Sequence, residues 1–162
     1  MITQERLKEL LYYHPESGDF VWLSLASKQS RVQIGSQAGT PCTGYTRITV
    51  DGELYLAHRL AFLYMTGKFP EADADHKDTD RGNCCWDNLR EATRSQNIVN
   101  TRPRRNSVLG VKGVSTSGNK FRADIKESKA KFRYLGTFDT VEAASAAFMA
   151  AARERHGEFA RT

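Results

Sequence analysis

Residues 71–100 read EADADHKDTDRGNCCWDNLREATRSQNIVN. The stretch gathers chemistry-bearing side chains between two turn-rich breaks. Asp75-His76 is followed by Asp87-Asn88-Leu89-Arg90 and then by Ser95-Gln96-Asn97. A hard divalent cation takes oxygen ligands, and magnesium keeps several waters beside one or two protein oxygens. Asp75 offers a carboxylate and Asn97 an amide oxygen. A neutral imidazole such as His76 can take a proton from a water attacking a phosphodiester. Asp75 and His76 are adjacent, so on a strand they point to opposite faces, and they converge only if a bend or the strand end re-aims one of them. A surface turn at Asp75-His76, a turn cap at Asn88 and a solvated helix face at Asn97 are the plainer readings of the same residues.

On the N-terminal side, Thr3 caps a short helix whose Leu7, Leu10 and Leu11 recur at helical spacing. His14-Pro15-Glu16-Ser17-Gly18-Asp19 breaks it, Phe20-Val21-Trp22 reads as a strand, and residues 24–41 read as loop. Tyr45 to Val50, the turn dipeptide Asp51-Gly52 and Glu53 to Leu56 form a hairpin. An apolar helix from His58 to Met65 stops at Gly67 and Pro70. On the C-terminal side, residues 101–109 are basic and aperiodic, as in a linker. Val111–Val114, Lys120–Glu127 and Lys131–Phe138 then read as three strands, with turns at Ser115–Asn119 and Ser128–Ala130. An Ala-rich helix, Val141 to His156, follows an N-cap at Asp139 or Thr140. Its stripe is Val141, Ala144, Phe148, Ala151 and Ala152, and Gly157 ends it.

The chain has 162 residues and a net charge of +5, room for one domain or two small ones. Residues 1–100 carry a net charge of −2 and residues 101–162 one of +7. A local, one-signed excess interleaved with apolar residues points to a polyanion partner. Lys120, Arg122, Asp124 and Lys126 alternate with Phe121, Ala123 and Ile125, and Lys131, Arg133 and Leu135 with Phe132, Tyr134 and Gly136. Unbroken alternation predicts one basic face and one apolar face toward the helix. A two- or three-stranded ribbon fits the DNA major groove, so Lys112, Lys120, Arg122, Lys126, Lys131 and Arg133, with Arg102, Arg104 and Arg105 of the linker, are the candidate DNA contacts. No stacking aromatics at regular positions suggest an RNA module. No apolar run reaches the length of a membrane span and the N-terminus lacks a signal-peptide core, which predicts a cytoplasmic protein without a membrane partner. The three cysteines, Cys42, Cys84 and Cys85, contain no CxxC, and read as reduced thiols.

Tyr55-Leu56-Ala57-His58-Arg59-Leu60, Gly67-Lys68-Phe69-Pro70, Asp75-His76, Asp87-Asn88-Leu89-Arg90 and Thr93-Arg94-Ser95-Gln96-Asn97 follow one another in order. This series resembles the HNH endonucleases of phage and intron-homing type over roughly residues 45–100. The resemblance implies a β-β-α-metal finger at about 71–100, with His76 as general base, Asp75 and Asn97 as metal ligands, and Asn88 bonding across the finger to hold the His-bearing strand. It implies magnesium, or manganese, as cofactor, and products with 5′-phosphate and 3′-hydroxyl ends. His58 is read as packing beneath the finger with one nitrogen hydrogen-bonded; a second catalytic or metal-binding histidine is the other reading. Many relatives carry Asn-Gly two and three residues after the His, where this chain has Asp78-Thr79. Cys84-Cys85 stands where relatives often have Asn and a basic residue.

Val111-Lys112-Gly113-Val114, Lys120-Phe121-Arg122-Ala123, Tyr134-Leu135-Gly136-Thr137-Phe138 and Glu142-Ala143-Ala144 form a second series, which resembles the AP-two/ERF DNA-binding domain. The expectation is an α+β protein: an HNH nuclease module (1–100), a basic linker (101–109), and a three-stranded antiparallel sheet with one helix (110–162). The implied activity is metal-dependent hydrolysis of phosphodiesters in double-stranded DNA. The alternative is a DNA-binding regulator with an inactive finger. No protein partner is inferred.

Overall fold

The computed structural model describes residues 1–25, 32–101, 107–128 and 131–160. The protein is of mixed α+β type, with small antiparallel sheets and four α-helices among the described residues. It divides into two compact units, Met1–Arg94 and Ser95–Thr162.

In the first unit, α1 (Gln4–Leu10) starts at Thr3, whose hydroxyl accepts from the Arg6 backbone N–H at 3.2 Å. The helix stops one residue before its last expected apolar position. Leu11 is extended and opens β1 (Leu11–Tyr13), where it pairs with Trp22 of β2 (Phe20–Trp22). Leu7, Leu10 and Leu11 are nonetheless all fully buried. Two strands fall at the end of the expected loop 24–41, the second running one residue past it: β3 (Gln37–Ala38), beside β2, and β4 (Thr40–Cys42). At two and three residues they are too short to show a period-2 pattern. β5 (Tyr45–Val50) and β6 (Glu53–Leu56) form the expected hairpin, with Val50 opposite Glu53. Asp51 and Gly52 both have positive φ (48° and 81°), as a type I′ turn requires.

Helix α2 (Ala57–Thr66) buries Ala57, His58, Leu60, Ala61, Phe62 and Leu63 and ends at Gly67, whose N–H bonds Leu63 O from a left-handed conformation. After it, β7 (Asp73–His76) pairs antiparallel with β8 (Leu89–Ala92). The core of the unit joins Leu7, Leu10, Tyr13, Phe20, Ile48, Val50, Leu60, Cys84 and Leu89. Gly18 is forced by a close approach: a Cβ there would lie 2.3 Å from the Cys84 carbonyl carbon. The turn after β1 and the stretch before β8 are thereby pressed together, and Trp86 N–H bonds Pro15 O at 2.8 Å across the same contact.

Helix α3 (Arg94–Asn100) begins on the last residue of the first unit and continues into the second. In the second unit the sheet order is β11-β10-β9, from β9 (Val114–Ser117), β10 (Lys120–Lys126) and β11 (Phe132–Phe138). The first of these strands lies three residues later than the expected Val111–Val114. Gly113 has φ +65°, which interrupts extended chain, and Gly118-Asn119 alone makes the turn, with Ser117 opposite Lys120. Helix α4 spans Val141–His156 as its stripe predicts, with the Thr140 hydroxyl accepting from Ala143 N–H. Ile125, Ala151, Ala152 and Ala160 form the small core, joined by Val99, Leu135 and Phe148.

The face assignment of β11 differs from the alternation. Ala123 pairs with Gly136 but Asp124 with Tyr134, so Leu135 is an extra residue, a β-bulge. One added residue turns every side chain before it in the strand to the other face. Leu135 packs into the core, while Phe132 and Tyr134, expected against the helix, are 61% and 55% exposed. Arg133, expected on the basic face, instead reaches Glu154 of α4 at 3.4 Å.

Candidate active site

The β7–β8 ladder sets Asp75 opposite Arg90 and His76 opposite Leu89. Cross-strand neighbours share a face, and the Arg90 guanidinium places both Nε and Nη2 3.0 Å from Asp75 Oδ2. The pair is buried, with side-chain exposures of 9% for Arg90 and 7% for Asp75. A carboxylate so buried needs its partner, because removing one member of a buried pair leaves an uncompensated charge.

His76, the next residue, meets other neighbours. Its ring stands edge-on to His58, with centroids 4.9 Å apart, and 6.2 Å from Tyr45; Tyr45 and His58 are 5.4 Å apart. The Arg81 guanidinium lies over the Tyr45 ring at 4.9 Å. Both imidazoles are 4% exposed. Burial pulls the His76 pKa below the ordinary histidine value, although Asp78, Asp75 and Asp80 act the other way. Burial, with the nearby His76 and Arg59, lowers His58 to about 3. Both rings are therefore neutral at neutral pH, and a neutral imidazole is what a general base requires. His58 is buried in the first turn of α2. Its Nδ1 is buried and has no hydrogen-bond partner among the described residues.

The loop leaving His76 is braced by Asn88. Asn88 Nδ2 donates to Asp78 Oδ1 at 3.0 Å and to Asn83 O at 2.8 Å, and Asn88 Oδ1 accepts from Asp78 N–H at 3.1 Å. Lys77 N–H bonds Asn88 O, and Thr79 N–H bonds His76 O. Burial alone would raise the Asp78 pKa, but hydrogen bonds from Asn83, the Asp80 backbone and Asn88 outweigh it and hold the carboxyl below its usual value. Thr79 takes φ +65°, a left-handed conformation unusual for a β-branched residue. The three cysteines are free thiols, and burial pushes Cys84 up to about 12, so it stays protonated. Among the described residues, no group of three or more His, Cys, Asp or Glu stands together as a metal-holding cluster.

Asn97 lies on α3, in the second unit. Of the other sequence candidates there, Lys112 donates from Nζ to Val99 O at 2.5 Å, at the end of α3. Lys120 pairs with Asp139, Arg122 makes two bonds of 2.8 Å to Asp124, and Lys131 pairs with Glu127. Arg102, Arg104 and Arg105 lie outside the described residues. Sequence reasoning missed Tyr45 and Arg81, for which no local signal exists. It quoted Arg90 without seeing its partner, which the 75–90 strand register supplies.

Residues 55–99 match the family model of the HNH endonucleases. The match runs from β6 through α2, β7 and β8 into α3, and so spans Asp75, His76, Asn88 and Asn97. No curated protein and no solved structure matches the chain. The family match, over the segment that carries the buried His76 and Asp75, points to a nuclease acting on DNA. Among the described residues no helix is long and apolar enough to cross a membrane.

Proposed function

We propose that the protein is a metal-dependent endonuclease of the HNH type that hydrolyses phosphodiesters in double-stranded DNA. The observation that carries the reading is a neutral, buried His76 next in sequence to the ion-paired Asp75, inside the segment that matches the HNH endonucleases. In this reading β7, β8 and α3 make the β-β-α-metal finger of a nuclease module over residues 1–100. Residues 101–109 link it to a DNA-binding module of AP-two/ERF type at 110–162.

The donor chemistry suits a hard cation. Asp75 presents a buried carboxylate fixed through Oδ2 by Arg90, and the family resemblance names Asn97 as a second oxygen ligand. Two protein oxygens suffice for magnesium, which retains most of its water, and manganese accepts the same ligands. A bound ion would supply charge stabilisation at the phosphate. The chain supplies the rest. His76 accepts the proton of the attacking water on an imidazole nitrogen, which its lowered pKa leaves unprotonated at neutral pH. His58 and Tyr45 hold that ring by packing, and Asn88 braces the loop that follows it. Lys120, Arg122, Lys126 and Lys131, with the linker arginines, supply DNA affinity through the +7 charge of residues 101–162. A phage or mobile-element origin fits the same resemblance.

The test is a supercoiled plasmid incubated with the intact protein in magnesium or in EDTA. Relaxed or linear product in magnesium alone supports the reading. A protein that shifts duplex DNA but cuts nothing in either condition is instead a DNA-binding regulator with an inactive finger.

A further inference from the structure

The bulge at Leu135 has a consequence for the partner of the second unit. It moves Phe132 and Tyr134 out of the core and onto the open face of the sheet, where they are 61% and 55% exposed. There they join the cations of β10. Lys126 Nζ lies 5.9 Å from the Phe132 ring centre, and the Arg122 guanidinium carbon 5.1 Å from that of Tyr134. Arg122 is held in place by its two bonds to Asp124, and the Tyr134 hydroxyl bonds the Thr137 hydroxyl at 2.7 Å. A shallow groove of about 460 Å³ is lined by Gly113, Val114, Ser115, Arg122, Asp124 and Phe132. Two exposed aromatic rings among cations, in a segment of net charge +7, form a surface for a polyanion that also carries flat apolar groups.

We infer that this face binds single-stranded DNA, with Phe132 and Tyr134 each stacking on an unpaired base. Duplex DNA presents base edges in its grooves and buries base faces, so exposed rings gain little from it. Spacing leads to the same choice. Residues two apart on a strand stand about 6.8 Å apart. Successive bases in a duplex strand rise only about 3.4 Å. The rings therefore match an extended strand with its bases separated. Lys126 and Arg122 sit beside the rings as phosphate contacts, and the Lys120–Asp139 pair is exposed enough to exchange its carboxylate for a phosphate. This assignment rests on the reading that the second unit binds DNA, and it names the strand state that the sheet recognises.

The experiment uses the full chain in EDTA, which prevents cleavage of the probes. Fluorescence anisotropy measures binding to a labelled oligo-dT of about 15 nucleotides, within the range of known single-strand sites, and to a duplex of the same length. The double variant Phe132→Ala/Tyr134→Ala is compared with Phe132→Tyr/Tyr134→Phe, which keeps both rings. Removing the rings should weaken oligo-dT binding about 30-fold or more and duplex binding less than about three-fold, while the ring-keeping variant binds both probes as the intact protein does. Equal losses on both probes, unchanged oligo-dT binding, or a change of oligomeric state in place of a binding defect would overturn the inference. If the intact chain binds duplex but not oligo-dT, the stacking assignment alone fails. If it binds neither, the DNA-binding reading of the second unit fails with it.

Discussion

Acid should destabilise the first unit through His58. In the folded chain its pKa is about 3, against 6.5 for an ordinary histidine. The unfolded chain therefore takes up a proton below pH 6.5 that the folded chain refuses. For a base with a lowered folded pKa, the stabilisation is intact above the unfolded value and is lost as pH falls toward the folded one. Between pH 7 and pH 4.5 this single group costs about 2.5 kcal/mol, close to a full proton over two pH units. That is a large part of a stability of roughly 5–15 kcal/mol. His76, lowered in the same direction, adds to the loss. The assay is urea denaturation followed by tryptophan fluorescence. Both tryptophans, Trp22 and Trp86, lie in the first unit, so the signal reports that unit alone. His58→Leu removes the titrating group and should lose about 2.5 kcal/mol less than the intact protein between the two pH values, whatever its stability at pH 7. Equal losses in the two proteins would refute the buried, neutral imidazole.

Three further substitutions probe the local arguments. Thr79→Gly relieves the left-handed φ of +65° and should stabilise the first unit by about 1 kcal/mol in the same urea assay. Asn88→Ala deletes three hydrogen bonds to the loop after His76 and should cost about 2 kcal/mol, with cleavage rate falling at unchanged DNA affinity. Gly113→Ala drives a methyl group to 2.1 Å from the Phe148 ring; it should cost the second unit about 3 kcal/mol, read as lost amide-exchange protection in β9–β11 with the first unit unaffected.

Where the signal is local, the sequence was readable. The Thr3 cap, the Asp51-Gly52 turn, the Gly67 stop and the span of α4 each rest on contacts within a few residues, and each stands where expected. The departures arise where distant segments decide. Leu11 leaves its helix because Trp22 offers a strand partner. Gln37–Ala38 and Thr40–Cys42 are strands only because β2 and β5 lie beside them. On β11, period-2 counting assumes an unbroken ladder, and one bulge at Leu135 exchanged the faces of Arg133, Tyr134 and Phe132. The site divides in the same way. Asp75, His76 and Asn88 announce themselves by residue type and spacing. The partners that set their properties do not, since Tyr45, His58 and Arg90 reach them only through the tertiary fold.

The central claim is that His76 is the general base of a nuclease. Single-turnover cleavage of supercoiled plasmid in magnesium, by the intact protein and by His76→Ala, tests it most directly. General-base catalysis contributes about 10²–10⁴-fold. The account predicts a loss of at least about 100-fold in the variant, with duplex affinity unchanged and no cleavage by either protein in EDTA. Cleavage by His76→Ala at the full rate would contradict it.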